Sequence, residues 1–482
     1  MEKPAVTRFA PSPTGYIHIG NVRSAIYPYL VARQNNGKFI LRIEDTDRER
    51  YVEGATDLIE DTLKWLGLQW DEGPIVGGEN GPYFQSERLS IYHEWVKRLI
   101  ESGRAYADPT PPEKLDEYRK QCVVEKRAFL YRDFRPEKLD FEFREGAPIR
   151  FLSDPKERKW TDAVMGEMSA GPEVQDDIIL IKKDGYPTYN FAHIVDDALM
   201  GVTHVMRGVE YLSSTPNYLA LYEAFGLEVP VLVSLPHILA PTGNKKLGKR
   251  DGAKSVTEYR KDGVLPEAML NYLACLGWND GTEQEIYTKE ELISRFSLDK
   301  IQSSGARYDE VKLLWMNGQW IRRIFDTQGV KALYDRTNGF WPEAAESYPE
   351  NYRLKVLSII YDRLKTLSDL TEMTEYFFKD PEIDTDMVKN NKFLKKMSEA
   401  EIENLLKKSI NKLSELESWD ADSLQSSLNE LLEETGKKPA ELFSLIRIAV
   451  SFAPFSPALN LTLETLGKDA SLARLNALTR SL

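Results

Sequence analysis

Short, uniformly apolar runs alternate with amphipathic stretches over the first half of the chain. Val6 to Ala10 predicts a strand, Asn21 to Arg33 a helix, and Phe39 to Ile43 a second strand whose one polar position is Arg42. A run without polar alternation is the pattern of a strand covered on both faces, as in a parallel sheet. Helices are predicted at Ala55 to Leu66 and at about Glu87 to Ser102. The latter has Ser86 as N-cap, Gly103 at its exit, and Leu89, Tyr92, Trp95, Val96, Leu99 and Ile100 at helical spacing. Strand alternating with helix predicts an α/β fold with a doubly wound parallel sheet.

The pattern changes in the middle. Thr110-Pro111-Pro112-Glu113 reads as an N-cap, a proline in the first turn and a capping-box glutamate, opening a charged helix from about Glu113 to Lys126. Strand-like pieces follow at Pro148 to Leu152 and Asp177 to Lys182, with a turn at Lys183-Asp184-Gly185. The α/β pattern resumes with Val202 to Met206, a helix at Pro216 to Phe225 and the apolar run Val229 to Leu235. Strands are scarce beyond about residue 255. Pro266 to Leu276 reads as helix, Ser398 to Glu401 as a capping box, and Lys438 to Phe452 as another helix. The expected domains are a catalytic α/β domain over 1–105 and 189–254, an inserted α+β domain over 106–188, a helical segment over 255–325 and an all-α domain over 326–482.

Composition narrows the class. The 482 residues are 42% hydrophobic and 29% charged, an ordinary globular balance. No run approaches the ~18 apolar residues of a membrane span, and the N-terminus enters a strand with no room for a signal peptide. Cys122 and Cys275 are the only cysteines, which argues against a disulfide scaffold and for a reducing, cytoplasmic setting. Lys plus Arg is 63 and Asp plus Glu is 76, a formal charge of −13. A nucleic-acid partner would therefore have to be held by local basic faces against the global field.

Two segments carry candidate chemistry. The first, Arg8 to Asn21 (RFAPSPTGYIHIGN), joins the first strand to the first helix, at the sheet end where α/β proteins bind ligands. Its prolines and Gly15 make a stiff loop. Gly20 omits a side chain where a nucleotide could approach, and the helix N-terminus beside His18 favours phosphate. The second, Lys245 to Gly252 (KKLGKRDG), places four cations within six residues, Lys245 to Arg250, on a glycine-bearing loop after the strand-like run ending at Leu235. A charge run is most often a solvated loop; here it also fits a clamp on the phosphates of a nucleotide, where positive charge stabilises developing negative charge.

Together the two segments resemble the HIGH and KMSKS signatures of class I aminoacyl-tRNA synthetases, here His18-Ile19-Gly20-Asn21 and Lys246-Leu247-Gly248-Lys249-Arg250. The text around them (APSPTG from Ala10, RIEDTD from Arg42, WDEGP from Trp70, GYPTYN from Gly185, VDDALMG from Val195, Arg207-Gly208 and Leu265 to Trp278) resembles the bacterial-type glutamyl enzymes over about residues 5 to 325. Leu442 to Val450 and Gly467 to Leu475 resemble that family's anticodon-binding domain. The resemblance implies a Rossmann-type core, an insert that holds the tRNA acceptor end, a stem-contacting segment and a helical anticodon-binding domain. It implies a monomer that uses ATP with Mg²⁺ to join glutamate to tRNA-Glu, with tRNA-Gln as a possible second acceptor.

The resemblance also assigns residues. His18, Lys246 and Lys249 are catalytic; Gly20, Asn21, Leu239, Lys249 and Arg250 bind ATP; Arg8, Ser12, Glu44, Tyr189, His193 and Arg207 bind glutamate. An arginine at position 8 suits a carboxylate better than a lysine, because its fork matches two oxygens. Arg42, Asp45, Asp196 and Asp197 are read as ion partners or braces, and His93, His204 and His237 as structural. Tyr211 falls where many members carry Trp. Two departures stand out. The Cys-x-Cys that zinc-binding relatives carry near Ala105 to Asp108 is missing, so no metal is expected, and Gly248 replaces the usual serine of the second signature. Three rivals fit less well. A glutaminyl enzyme would carry a different first loop and a β-barrel anticodon part. A tRNA-modifying relative would lack the C-terminal domain. A catalytically silent paralogue would have decayed signatures.

Overall fold

The structure is a computed structural model that describes residues 4–15, 17–248, 254–453 and 456–482. The chain forms two compact units, Met1–Glu258 with Met269–Glu310, and Tyr259–Ala268 with Val311–Leu482.

The first unit opens with β1 (Val6–Phe9), α1 (Ile19–Gln34), β2 (Lys38–Leu41), α2 (Ala55–Trp65) and α3 (Leu89–Glu101). It continues through β3 (Ala105–Ala107), α4 (Pro112–Val124), β4 (Ile149–Phe151), β5 (Arg158–Asp162), β6 (Gly166–Ala170) and β7 (Ile179–Ile181). Then come α5 (Tyr189–Leu199), β8 (His204–Gly208), α6 (Thr215–Phe225), β9 (Val231–Leu235) and β10 (Ile238–Leu239). The residues of α7 (Val256–Lys261) and α8 (Pro266–Cys275) are divided between the two units, and the first unit closes with α9 (Lys289–Arg295) and β11 (Ala306–Arg307).

Six strands make one sheet in the order β2-β1-β8-β9-β5-β6, parallel except for the β5–β6 hairpin at its edge. β1 and β2 are apolar on both faces apart from Thr7, Arg8 and Lys38, as expected for strands covered by helices. The α/β pattern is therefore as the sequence predicts, with an exception inside residues 106–188. There the chain makes two structures. β3, β4 and β7 form a separate antiparallel sheet, whereas the hairpin β5–β6 extends the main one. The sequence reading did not identify that hairpin. Trp160, at its centre, packs with Ile40, Tyr83, Val205 and Leu232 in the main-sheet core.

Two helix starts differ from the sequence reading. Ser86 does not cap α3, whose N-cap is Arg88; its N–H and hydroxyl both donate to the Asp45 carboxylate, at 2.8 and 2.6 Å. Thr110 does not cap α4, whose N-cap is Pro111; its N–H goes to Asp108 and its hydroxyl meets Tyr131. The hydroxyl that a helix terminus would otherwise use is taken by the buried Asp45 carboxylate in the first case and by the buried Tyr131 phenol in the second.

The small sheet is held by two such carboxylates. Asp177, buried, accepts from Tyr106 Oη (2.7 Å), from both Arg135 donors (2.6 Å each) and from the Ser153 N–H and hydroxyl (3.0 and 2.6 Å). Asp108 accepts from Tyr131 Oη and Arg150 Nε, both at 2.6 Å. Burial opposes ionisation of Asp177, but these donors outweigh it and hold the carboxyl below its ordinary range.

The second unit is helical. One of its cores gathers Leu405, Leu406, Leu428, Leu442, Leu445 and Leu475 from helices Glu399–Ser414, Ala421–Thr435, Pro439–Ser451 and Lys468–Ser481. Ser398 caps the first of these by accepting from the Glu401 N–H. No helix among the described residues is long and apolar enough to cross a membrane.

Asp177→Ala will leave Arg135 and Tyr106 without their acceptor. We expect local opening of the three-stranded sheet to become easier by about 3 kcal/mol. Amide exchange in β3, β4 and β7 will speed by roughly a hundredfold, while β1 and β8 keep their protection.

Candidate active site

The first signature turn leaves the carboxyl end of β1 and is stitched to the segment after β2. Arg42 N–H donates to Phe9, Glu44 N–H to Pro11 and Val52 N–H to Pro13, at 3.0, 3.0 and 2.9 Å. The proline-rich loop is thus clamped along its length, with Ser12 exposed on it. Gly15 sits at φ 153°, a left-handed conformation open to glycine.

His18 is the N-cap of α1. Its Nδ1 accepts from the Gly20 N–H at 3.1 Å, and Asn21 Oδ1 accepts from the His18 N–H at 3.4 Å. A Cβ at position 20 would lie 3.0 Å from the His18 ring. The glycine therefore first makes room for the imidazole folded over the helix start. The imidazole belongs to an exposed side chain beside an amide-rich, partly positive helix N-terminus.

Beneath this turn lies a buried ion cluster. Arg8 donates from Nε and Nη2 to Asp197, at 3.1 and 3.3 Å, and from Nη1 to the Met206 carbonyl at 3.1 Å. Arg42 donates from Nη1 to Asp197 at 2.7 Å and from Nη2 to Glu44 at 3.0 Å. Its Nε lies 3.6 Å from Asp196, which itself accepts from Arg88, Gln85 and Tyr92, each at 2.8 Å. Three guanidinium groups meet three carboxylates, all buried. Burial works against the Asp197 charge, but Arg8 and Arg42 overcome it and hold the carboxyl well below the usual range. Burial pushes Glu44 upward against the pull of the same arginines. Of the five N–H donors of a guanidinium, Arg8 uses three here, so a fork of two remains for a ligand carboxylate among the described residues.

An aromatic and histidine layer lies beside the cluster. The His193 ring stacks on Tyr189 with centroids 4.7 Å apart and meets Tyr218 edge-on at 4.7 Å. Tyr189 in turn packs on Tyr211 at 4.8 Å. Arg207 lies with its guanidinium carbon 4.4 Å from the Tyr218 ring centre. Burial raises the Tyr189 hydroxyl above its ordinary value, so it stays protonated and can donate.

The second signature loop folds back on β10. Leu239 bridges Lys246, with Ala240 N–H donating to Lys245 and Leu247 N–H to Ile238, at 2.9 and 2.8 Å. Lys246 Nζ lies 3.1 Å from Glu210, and His237 Nδ1 lies 3.7 Å from the same carboxylate. Lys249 and Arg250 lie outside the described residues. His18 pairs in an antiparallel bridge with Ser255, just beyond that loop.

The structure thus gathers the assigned residues into two groups. Arg8, Glu44, Tyr189, His193 and Arg207 surround one ion cluster; Leu239 and Lys246 share a hairpin. Three further residues were passed over or underweighted in sequence. Asp197, read as a brace, joins Arg8 to Arg42. Glu210 holds Lys246. Arg23 of α1, buried, donates to the Pro236 carbonyl ahead of β10 and to the Leu276 carbonyl at 3.1 Å, while Tyr27 Oη reaches Ala274 and Leu276 at 3.2 Å each. The signal for Arg23 was there: it lies on the otherwise apolar face of α1.

Comparison with known proteins extends over the whole chain. The family described as tRNA synthetases class I (E and Q), catalytic domain, matches residues 4–315, and an anticodon binding domain family matches 332–479. A glutamate–tRNA ligase of Clostridium botulinum is 42% identical over 481 residues, covering 97% of each chain. One from Dehalococcoides mccartyi is 40% identical, covering 97% of this chain and 96% of its own. Among solved structures, a glutamate tRNA ligase from Elizabethkingia meningosepticum, in complex with its amino acid, matches with a TM-score of 0.88 at 31% identity over 100% of both chains. The glutamate-tRNA synthetase of Elizabethkingia anophelis matches at 0.85, also at 31% identity, over 99% of this chain and 100% of that one.

Asp197→Ala will bury two guanidinium groups without their shared acceptor, at a cost of about 3–5 kcal/mol in urea unfolding of the first unit. Folding depresses the Asp197 carboxyl, so its contribution is full above the unfolded value of about 4 and is lost as pH falls below it. Asp197→Asn will therefore flatten the acid limb of the stability profile.

Proposed function

The chain belongs to the class I tRNA synthetases of the glutamate and glutamine type, among their glutamate–tRNA ligases, and on that footing we infer a division of labour among its side chains. Its activity joins glutamate to tRNA-Glu with ATP and Mg²⁺ as substrate. In the reading we favour, an oxygen of the glutamate α-carboxylate attacks the α-phosphorus of ATP and pyrophosphate leaves. A hydroxyl of the terminal tRNA adenosine then attacks the acyl carbon, the mixed anhydride breaks, and AMP leaves. No enzyme nucleophile takes part. The protein works by positioning and by placing positive charge against developing negative charge.

Arg8, Arg207 and Tyr189 hold glutamate, Glu44 receives its ammonium, and Ser12 borders it. His18, Gly20 and Asn21 face the phosphates from the helix start. Leu239 meets the adenine through its backbone, and Lys246, Lys249 and Arg250 close on the phosphates. The observation that carries the amino-acid assignment is the buried set Arg8–Asp197–Arg42–Glu44, because it presents both a guanidinium fork and a carboxylate at the carboxyl end of β1. Lys246 must leave Glu210 to reach a phosphate; that pair is half exposed, where an ion pair is worth only about 0–1 kcal/mol, so exchange is cheap.

The insert fits no zinc. Asp108 and Asp177 are consumed by arginine and tyrosine donors, and Cys122 is buried in α4. A hydrogen-bonded ion network does the bracing that a structural metal would do. We take a monomer as the working form, as the family resemblance implies. Two free cysteines support the cytoplasm as its compartment. Stem contact belongs to the segment 255–325 and anticodon reading to 326–482.

Charging of purified tRNA-Glu and tRNA-Gln with labelled glutamate, side by side, tests the acceptor range. Charging of tRNA-Glu alone makes the enzyme discriminating; charging of both implies that an amidotransferase must act on the second product. Charging of neither overturns the assignment. Lys249→Ala is expected to lower kcat by about 10²–10³ with little change in KM for glutamate; an unchanged kcat removes that lysine from the phosphate clamp.

A further inference from the structure

The six buried charges beneath the first signature turn cancel: Arg8, Arg42 and Arg88 against Glu44, Asp196 and Asp197. Arg207 stands outside that balance. Among the described residues no carboxylate pairs with it. Its Nη1 instead donates to His193 Nε2 at 3.2 Å, and its guanidinium carbon lies over the Tyr218 ring. Nδ1 of the same imidazole meets the Tyr189 carbonyl at 2.7 Å. A carbonyl only accepts, so Nδ1 carries the hydrogen and Nε2 is the acceptor. Both ring nitrogens are therefore committed, and the ring is fixed by Tyr189 on one face and Tyr218 at its edge. His193 is 1% exposed.

We propose that His193 touches no substrate and is a positioning residue: a neutral acceptor that aims Arg207, a guanidinium with no carboxylate partner among the described residues, at a carboxylate of glutamate. The inference rests on the assignment of Arg207 to glutamate made above. It also gives the pocket a charge rule. Free glutamate is a net monoanion and supplies the missing negative charge; glutamine is net neutral and leaves the pocket one positive charge in excess around the half-buried Arg207. A carboxylate in place of His193 would cancel Arg207 within the protein, and a cation would turn it away. A neutral imidazole does neither. The groups facing it are Arg207 from β8, Arg8 from β1, Asp197 and Tyr189 from α5, and Tyr218 from α6. Burial, reinforced by Arg207, pushes the imidazole down to about 3.

The test compares His193→Phe, which keeps a ring between Tyr189 and Tyr218 without an acceptor, with His193→Asn, which restores a neutral acceptor. Tyrosine fluorescence melting checks the fold of each. Steady-state tRNA charging gives kcat and the KM for glutamate, ATP and tRNA. We expect His193→Phe to raise the KM for glutamate by about tenfold or more, to leave the KM for ATP and tRNA within about twofold, and to erode preference for glutamate over glutamine. His193→Asn should recover most of that loss. In the wild type, the KM for glutamate should show no inflection with a histidine's ordinary midpoint between about pH 6 and 8. An unchanged KM in His193→Phe overturns the inference. So does a variant that melts early and loses affinity for every substrate alike, because that is packing. Arg207→Ala separates the two levels. If it leaves glutamate affinity intact, the assignment of Arg207 fails. If Arg207→Ala weakens glutamate and His193→Phe does not, only the positioning role fails.

Discussion

One buried carboxylate sets the geometry on which the rest depends. Asp197 takes the Nε edge of Arg8 from β1 and an Nη of Arg42 from just past β2, while its neighbour Asp196 takes Arg88 at the start of α3. A lone charge in such a place costs several kcal/mol, and its partners repay that only when every donor has an acceptor at good distance. The cluster meets the condition for most of its buried atoms; Arg42 Nε and Gln85 Oε1 lack a hydrogen bond, and Arg8 keeps two N–H donors in reserve. The consequence is a rigid mutual placement of two strands and two helices. The clamped proline loop and the fork of Arg8 inherit that placement. A site that works by positioning needs such a foundation, because its catalytic gain falls steeply with small displacements.

The two signature loops are joined by a quieter device. Arg23 reaches from α1 to the carbonyl of Pro236, just ahead of the hairpin that carries Leu239 and Lys246. On the same face, Tyr27 and Arg23 take the carbonyls of Ala274 and Leu276 at the end of α8. A cation at a helix C-terminus is favourable, and here it also fills carbonyls the helix leaves open. The helix that begins with His18 therefore carries, one turn further on, the side chain that locates the second loop. Lys246 remains at the surface on Glu210, so the hairpin's base is fixed while that lysine stays exchangeable.

Which parts were legible in sequence follows from what sequence patterns report. β1, α1 and β2 have apolar runs and a glycine–proline loop between them, and these are local signals. The β5–β6 hairpin escaped because it joins the main sheet at an edge, where RKWTD alternates buried and exposed positions in a charged stretch that reads as surface. Ser86 and Thr110 look like caps by their neighbours alone; their polar groups are claimed by Asp45, Asp108 and Tyr131, the first of them from far along the chain. The site shows the same division. His18 and Lys246 stand in recognisable motifs. Asp197 was visible only as an acid in a helix, and its value comes from two arginines more than 150 residues earlier in the chain. His193 could be named from its position, but not given a role, because the role depends on which atoms its two nitrogens meet.

Selection of glutamate against its amide is the most demanding task this architecture faces, since the two side chains have nearly the same shape. Shape alone separates such pairs poorly, whereas a buried polar group left unpaired separates them strongly. A pocket built only from balanced ion pairs would not register the difference, because nothing in it would lack a counter-charge. A pocket with several free cations would be costly to fold. The arrangement around α5 lies between these limits. Arg8 and Arg42 are neutralised by acids on the same protein, whereas Arg207 has no carboxylate partner among the described residues; in the assignment proposed above the ligand supplies it. Its partner inside the protein has to accept a hydrogen bond without carrying charge, and an imidazole desolvated between two tyrosines meets that requirement at any pH where the ion cluster itself survives.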